Sequence, residues 1–265
     1  MKIKQIVSAL ERFAPLPLQD GFDNAGLQIG LTEAEATGAL LCLDVTEAVL
    51  DEAIALGYNL VISHHPLIFK GYKSITGKDY VERCILKAIK NDIVIYSAHT
   101  NLDNAYGGVN YKIAEKIGLK NLQVLEPKEN SLQDDLTQAG AGIVGELDEP
   151  ETELEFLKRI KKTFEVGCVR HNRLTGREIQ KVALCGGAGA FLLPRAIRAG
   201  ADVFITGEIK YHDYFGHEGD ILMAEIGHYE SEQYTKEIFY SIIRDLFPNF
   251  ALQLSKINTN PIKYL

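Results

Sequence analysis

Apolar residues recur along this chain in two spacings, one typical of amphipathic helices and the other typical of short buried strands. Short uninterrupted apolar runs predict the buried strands. These runs lie at Ala39–Leu43, Leu60–Ser63, Ile93–Ser97 and Ala141–Glu146. The helical spacing begins at Ile3, Ile6, Val7 and Leu10. It predicts a first helix that ends before Pro15.

Helical spacing returns between the predicted strands. Thr46 is a good N-cap for a helix over Glu47–Leu56, and Gly57 suits the position just beyond its end. Further helices are predicted at Tyr80–Lys90, at Glu153–Phe164 and from His228 to about Phe247. Another helix is predicted to follow Gly107-Gly108 and to end at Gly118. Strand, helix and strand with short links form a βαβ unit, which predicts a parallel sheet with a right-handed crossover. The fold class is therefore α/β.

Two stretches of the chain align with later stretches without a gap, each at its own constant shift. The larger shift places Cys42 on Cys185, Gly57 on Gly200, Ser63 on Thr206 and His65 on Glu208. The smaller shift places Ile93–Ser97 on Leu222–Ile226 and His99-x-x-x-Asp103 on His228-x-x-x-Glu232. Because both matches occur in the same order, we expect two similar α/β domains related by internal duplication.

Composition narrows the class of protein. The chain has 265 residues, of which 46% are hydrophobic, and its net charge of −8 argues against binding to nucleic acid or anionic membranes. No apolar run approaches the roughly 18 residues of a membrane span. The start at Met1–Gln5 lacks the apolar core of a signal peptide. The four cysteines lie in apolar runs without CxxC spacing, so we expect buried, reduced thiols and a cytoplasmic location.

Two adjacent histidines, His64 and His65, follow the predicted strand Leu60–Ser63. Pro66 cannot supply a ladder N–H, so the strand should end near His65. Neighbouring strand residues point to opposite sides, so the pair suits two different metals, or one metal and one neighbour, better than one shared ion. The alternative is that one histidine is a hydrogen-bond donor in a loop and the other caps a carbonyl.

Three other polar clusters also follow predicted strands. His228 and Glu232 are four residues apart at the start of a predicted helix, so both side chains can reach one ion. Taken alone, each cluster has an alternative explanation without metal, namely a solvated helix end or surface loop. The other two are His99-x-x-x-Asp103 and Glu208-x-x-x-His212. Four such clusters past four strands favour a metal site.

Gly186–Ala190 links a predicted strand to a helix and is rich in glycine. It lacks the lysine of a phosphate-binding P-loop and the third glycine of the dinucleotide pattern. A tight turn is the better interpretation.

Six short motifs, taken together and in this order, resemble those of the Nif-three-like family, also known as type 2 GTP cyclohydrolase I homologues. They are Asp23-Asn24-x-Gly26-Leu27-Gln28-x-Gly30, Ser63-His64-His65-Pro66-Leu67, His99-Thr100-Asn101-Leu102-Asp103, Thr206-Gly207-Glu208, Gly227-His228-x-x-x-Glu232 and Thr259-Asn260-Pro261. The resemblance covers almost the whole chain. It implies two similar interlinked α/β domains, a dinuclear metal site and a toroidal homohexamer.

The resemblance also implies a ligand set. His65 and Asp103 would hold one metal, His64 and His228 the other, and Glu232 would bridge the two. Three imidazoles and two carboxylates without a thiolate fit zinc, manganese, iron or nickel. Two divalent ions with two carboxylates retain a net positive charge, which favours an anionic small molecule such as a nucleotide.

His99 matches a family histidine that lies beside the metals, which makes it a candidate catalytic proton carrier. The alternative is that His99 only orients Asp103. If the C-terminal motifs meet the first histidines, the metal-carrying domain is discontinuous, made of residues 1–126 and 226–265, with 127–225 as the second domain. The best linker candidate is Lys128–Asp135. The short connection from Pro127 to Gln138 leaves no room for the inserted domain that some relatives carry.

The resemblance implies hydrolytic opening of a purine ring, in which metal-activated water adds to GTP and formate leaves. Our first hypothesis is therefore a dinuclear metal-dependent hydrolase resembling a GTP cyclohydrolase. The alternative is a non-catalytic protein that binds metal, handles it or serves in assembly. Fold and site type do not choose the substrate.

Overall fold

The structure, a computed structural model, describes residues 1–128, 139–217 and 219–265. The chain divides into two compact units. The first consists of Met1–Leu102 with Thr235–Pro261, and the second of Asp103–Tyr234 with Ile262–Leu265. Each unit contains one β-sheet with helices, so the predicted α/β class is confirmed.

The first unit contains five strands and four helices. The strands are β1 (Gly26–Ile29), β2 (Ala39–Cys42), β3 (Leu60–Ser63), β4 (Val94–Ser97) and β11 (Leu252–Leu254). The helices are α1 (Ile3–Phe13), α2 (Glu47–Leu56), α3 (Tyr80–Lys90) and α9 (Thr235–Leu246). A short helix, α4 (Thr100–Asp103), crosses the point where the chain divides, and a 3-10 turn covers Leu16–Leu18.

The second unit contains six strands and four helices among its described residues. The strands are β5 (Lys120–Pro127), β6 (Gly140–Thr152), β7 (Arg170–His171), β8 (Glu178–Cys185), β9 (Val203–Thr206) and β10 (Leu222–Glu225). The helices are α5 (Val109–Ile117), α6 (Glu153–Thr163), α7 (Leu193–Arg198) and α8 (His228–Glu232), with 3-10 turns at Gly189–Leu192 and Tyr211–Tyr214.

The sheet of the first unit has the order β1-β4-β3-β2-β11. All neighbours are parallel except β1, which pairs antiparallel with β4. Cys42 lies opposite Ser63, which lies opposite Ser97. The three central strands therefore end at the same edge of the sheet, where candidate site residues follow each of them.

Helices cover the sheet because their apolar faces match its buried residues. Thr46 accepts a hydrogen bond from the amide of Val49 and so caps α2, while Gly57 ends that helix with a left-handed φ of 69°. Apolar residues of α2 and α3 form one core cluster with side chains of β2, β3 and β4. Among the described residues no helix is long and apolar enough to cross a membrane.

The sheet of the second unit has the order β5-β6-β8-β9-β10-β7, in which β8, β9 and β10 are parallel. Cys185, Thr206 and Glu225 share one register, so these three strands also end together. As in the first unit, the third parallel strand has an antiparallel edge partner, here β7. Three of the four cysteines are buried as predicted, whereas Cys168 is exposed.

The pairing of the parallel strands confirms the first part of the predicted repeat. Cys42 pairs with Ser63, and their counterparts Cys185 and Thr206 pair in the same way, so the larger shift holds across two strands. Each pair is parallel and joined through helical residues. The two units therefore share one strand–helix–strand arrangement.

The second part of the predicted repeat is wrong by a single position. Ser97 pairs with Ser63, while Glu225 pairs with Thr206, so the ladders match Ser97 with Glu225 rather than with Ile226. His228 then corresponds to Thr100 and not to His99. Strand composition could not detect this slip, because only the ladder fixes which residues lie opposite each other.

The division of the chain differs from the predicted boundaries. The first unit ends at Leu102 rather than residue 126, and the chain returns to it at Thr235 rather than 226. The reason is packing, since α5 lies against β6 and β8, and β5 pairs with β6. Asp103, His228 and Glu232 consequently belong to the second unit. Apart from Lys128, the predicted linker lies outside the described residues.

Glu82, in the first turn of α3, fixes the loop that precedes this helix. Its Oε2 accepts hydrogen bonds from the Thr76 amide (2.8 Å), the Thr76 hydroxyl (3.1 Å) and the Lys78 amide (3.1 Å). Burial raises the pKa of Glu82, but these hydrogen bonds outweigh it and lower the pKa from 4.5 to about 2. The ionised carboxylate therefore stabilises the loop.

Because the folded-state pKa of Glu82 is depressed, its stabilising contribution is present above about pH 4.5 and is lost as the pH falls towards about 2. We expect Glu82→Gln to lower the thermal unfolding midpoint at neutral pH and to flatten its pH dependence within that window. Circular dichroism melts across the window measure both effects. Glu178→Gln, at an exposed position that starts β8, is the control. Equal midpoints for the two variants at neutral pH would contradict this role.

Candidate metal centre

Three histidine rings of the first unit converge at the edge where its parallel strands end. His64 and His65 follow β3, and His99 follows β4. Their ring centroids are 5.0 to 5.4 Å apart. One ring nitrogen from each lies within 4.8 Å of the others, close enough for the group to hold a metal ion. His64 is fully buried and His65 and His99 are half-buried.

The strand argument does not reach His64 and His65, because β3 ends at Ser63, before both histidines. The chain bends directly after Ser63, and the amides of both histidines donate to the Leu43 carbonyl at 3.1 and 3.0 Å. The rule that neighbouring side chains point to opposite faces holds only within a strand. Past the strand, both rings reach His99.

Each of these imidazoles is held through Nδ1 by an oxygen atom that can only accept a hydrogen bond. The distances are 2.9 Å from His64 to the Ala98 carbonyl, 2.7 Å from His65 to Asp44 Oδ1 and 2.8 Å from His99 to Asp23 Oδ1. Nδ1 therefore carries the proton, and the neutral ring has its lone pair on Nε2. This arrangement is the one found for histidines that bind metals.

Asp44 is a site residue that the sequence reasoning missed. It follows β2, the third strand that ends at this edge, and it also accepts a hydrogen bond from the Thr259 hydroxyl. Burial raises the pKa of Asp44, but the hydrogen bond and charge of His65 outweigh it and lower the pKa. The late Thr259-Asn260-Pro261 motif thus supports Asp44, and the position of Asp44 after a strand was the signal available.

Asp23 holds the His99 ring by accepting a hydrogen bond from its Nδ1, as Asp44 does for His65. Its Oδ1 accepts from His99, and its Oδ2 accepts from the amide (3.0 Å) and the hydroxyl of Thr100. Burial raises the pKa of Asp23, but these hydrogen bonds outweigh it and lower the pKa to about 2. The carboxylate is therefore ionised at neutral pH and can stabilise a protonated imidazole. His99 Nδ1 is directed at Asp23.

Other residues of the Asp23–Gly30 motif fix a second loop. The Asn24 amide group donates to the Ile68 carbonyl (2.6 Å), and the Ile68 amide donates to Gln28 Oε1 (3.1 Å). Both backbone groups of Ile68 are thus bound by the motif. The next residue, Phe69, packs edge-on against His99 with centroids 6.0 Å apart, and Phe22 lies 6.4 Å from Phe69. Both phenylalanine rings are largely exposed, Phe69 by 47% and Phe22 by 67%.

The second unit presents a second donor pair on α8. His228 opens this helix and Glu232 ends it, with Nε2 and Oε2 3.1 Å apart. Two atoms bound to one zinc ion at about 2.0–2.1 Å lie roughly 3 to 3.5 Å apart, so the pair has ligand spacing. The predicted single helix from His228 to about Phe247 is instead two helices, α8 and α9.

Glu208 supports this donor pair, whereas His212 does not contact the pair in any hydrogen bond or ion pair given for the described residues. The Nδ1 of His228 lies 2.7 Å from Glu208 Oε1, the same kind of contact that the first unit makes to its histidines. The His212 ring packs on Tyr211 and Phe215 instead. No candidate metal group within the described residues includes His212. Asp103, the remaining predicted ligand, ends α4 and receives a hydrogen bond on its carbonyl from Asn110 (3.0 Å).

The glycine-rich stretch is a tight turn, in agreement with the prediction. The amides of its three glycines donate to side chains of the same unit, Gly186 to Asn110, Gly187 to Ser231 and Gly189 to Thr206, each at 3.0 Å. These amides are therefore engaged within the protein rather than directed at a phosphate.

Comparisons with known proteins agree with the motifs. A GTP cyclohydrolase 1 type 2 homolog of Clostridium perfringens is 37% identical over 235 residues, which are 88% of this chain and 87% of that protein. The crystal structure of the Staphylococcus aureus hypothetical protein SA1388 matches with a TM-score of 0.91 at 31% identity, covering 100% of this chain and 99% of the other. That of a Bacillus cereus protein related to NIF3 matches with a TM-score of 0.89 at 26% identity and the same coverage. The model of one family, described as Duf34/NIF3 (NGG1p interacting factor 3), matches residues 1–261, and the chain therefore belongs to this family.

Proposed function

We propose that this protein is a metal-dependent hydrolase that acts on an anionic substrate with a flat heteroaromatic ring, with GTP as the first substrate to test. One observation carries the proposal. Each of the four candidate histidines has its Nδ1 at hydrogen-bond distance from an oxygen acceptor, and Nε2 is then the atom that can bind a metal. Histidines whose Nδ1 is held in this way, with Nε2 left to face the ion, are characteristic of a metal centre.

The family assignment suggests how the donors are shared. His65 with Asp103 would hold one divalent ion, His64 with His228 the other, and Glu232 would bridge them. The donor set consists of imidazoles and carboxylates, which suits zinc, manganese, iron or nickel. Bound divalent ions supply Lewis acidity, which polarises a scissile bond and lowers the pKa of water.

His99 is proposed to move a proton. Its Nδ1 is held by the ionised Asp23, so Nε2 is the atom available for proton exchange, and the carboxylate stabilises the charged ring. The competing role is metal binding, since a His99 nitrogen lies within 4.8 Å of nitrogens of His64 and His65. The two roles differ in what happens to the metal when His99 is removed.

The flat ring of the substrate is inferred from Phe22 and Phe69. The Asn24 and Gln28 hydrogen bonds to Ile68 fix the loop that places the exposed Phe69 ring beside His99, and the exposed Phe22 ring lies next to Phe69. Nucleobases stack on such rings without regard to sequence or exocyclic groups. The name of the Clostridium perfringens relative, GTP cyclohydrolase 1 type 2 homolog, makes GTP the first choice.

The first test is His99→Ala. A proton carrier can be lost without losing metal, so we expect metal content to stay unchanged and the rate of formate release from GTP to fall by roughly 10²–10⁴-fold. Metal is measured by mass spectrometry on the preparation used for kinetics, and His171→Ala, at an exposed histidine of β7, is the control. Loss of metal together with activity would instead make His99 a ligand. A metal-loaded parent protein that opens no nucleotide ring would favour the non-catalytic metal-binding alternative.

The second test is Phe69→Leu, which keeps apolar bulk and removes the flat ring. Since stacking contributes about 1–3 kcal/mol per base, we expect KM for GTP to rise by roughly 10-fold with kcat and metal content little changed. Phe191→Leu, at an exposed phenylalanine of the second unit, is the control. A KM equal to that of the control would remove the argument for a stacked ring.

We also propose the toroidal homohexamer that family membership suggests. Light scattering at micromolar concentration should then give about six times the chain mass of 29.4 kDa. A monomeric mass in the presence of metal would contradict it.

A further inference from the structure

The turn after β8 lies directly against the helix that carries His228 and Glu232. Gly187 has a left-handed φ of 58°, and a Cβ atom built on it would collide with Glu232 Oε1 and lie 3.4 Å from His228 Cε1. The approach to Oε1 is closer than any non-bonded contact of a real Cβ. Glu232 is only 3% exposed, so a displaced carboxylate has to rearrange inside the protein rather than swing into solvent.

Hydrogen bonds join the same turn to the backbone of His228 and to Glu208, whose carboxylate contacts the His228 ring. The Gly187 amide donates to Ser231 Oγ (3.0 Å), and this hydroxyl donates to the His228 carbonyl (2.8 Å). The Gly187 carbonyl accepts from the Glu208 amide (3.0 Å). Gly187 therefore connects the backbone of His228 with the residue whose carboxylate holds the His228 ring.

The preceding glycine connects the turn to the third candidate donor of this unit. The Gly186 amide donates to Asn110 Oδ1 (3.0 Å), and Asn110 Nδ2 donates to the Asp103 carbonyl (3.0 Å). Asn110 is 2% exposed, so both contacts are shielded from water. The backbone of Asp103 is thus fixed relative to the turn.

We infer that the Gly186-Gly187 turn is the positioning element for the second unit's metal donors, and that the missing side chain at Gly187 sets where the Glu232 carboxylate lies. An added methyl group displaces Oε1 and separates the carboxylate from His228 Nε2, now 3.1 Å from Oε2. The inference rests on the proposed metal binding for its consequence, but the contact between Gly187 and Glu232 is a property of the protein alone.

The chain offers a matched control at Gly200. This glycine belongs to the same unit and has a similar φ of 69°, but a Cβ atom there would meet nothing within 4 Å. Gly200→Ala therefore reproduces the backbone strain of a left-handed alanine without the collision. Any difference between the two alanine variants reports the collision.

The first experiment measures zinc affinity by competition with a chromophoric chelator for the parent protein, Gly187→Ala and Gly200→Ala. We expect Gly187→Ala to bind zinc roughly 10- to 100-fold more weakly, as for other residues that position ligands, and Gly200→Ala to match the parent. Glu232→Asp, with a side chain one methylene shorter, should reduce the additional loss caused by Gly187→Ala. Equal affinities for the two alanine variants would overturn the inference.

The second experiment needs no metal. Thermal unfolding in excess chelator is measured for both alanine variants in the parent and in the Glu232→Ala background, which forms a double-mutant cycle. We expect Gly187→Ala to lower the midpoint more than Gly200→Ala in the parent, and equally once the Glu232 side chain is absent. A cycle without coupling would overturn the inference even if metal binds. A parent that binds no metal would refute the proposed function, and the cycle would still decide the role of Gly187.

Discussion

A histidine ring binds a cation in a fixed direction only when its other nitrogen is held in place, and much of this chain is arranged to satisfy that condition. The acceptors come from distant parts of the sequence. Asp23 lies in a loop ahead of β1, Asp44 follows β2, and Glu208 follows β9. Each ionised carboxylate can only accept a hydrogen bond from the ring N–H, and the lowered pKa values of Asp23 and Asp44 keep these two groups ionised. The ends of the parallel strands bring donor and acceptor together, because they stop in one register.

Much of the fold could be predicted from the sequence. The helices Glu47–Leu56 and Tyr80–Lys90 and the strand Leu60–Ser63 have the bounds that apolar spacing and capping residues indicate. These elements are decided locally, by a cap such as Thr46, a left-handed glycine such as Gly57 and a continuous apolar run. The larger of the two shifts, which places Cys42 on Cys185, was visible for the same reason, since apolar runs and helix-ending glycines recur in both units.

What the sequence could not supply was decided by contacts between distant residues. The bend after Ser63 depends on the Leu43 carbonyl, which accepts from two amides much further along the chain. The roles of Asp23, Asp44 and Glu208 depend on which ring each side chain meets, and spacing along the chain does not encode that. The earlier end of the first unit has a similar cause, because α5 is drawn to β6 by packing.

Strands β4 and β10 correspond at a shift that is one residue smaller than the shift that aligns the acids after them. The acids Asp103 and Glu232 therefore do not occupy equivalent positions in the two units. Helices α4 and α8 begin at corresponding backbone positions, Thr100 and His228. The acid is the fourth residue of α4, Asp103, but the fifth of α8, Glu232. One residue turns a helix by about 100°, so the two carboxylates leave their helices in different directions. A copied segment that kept the same offset would have given two interchangeable acids. With a difference of a single position, the two acids are not geometrically equivalent.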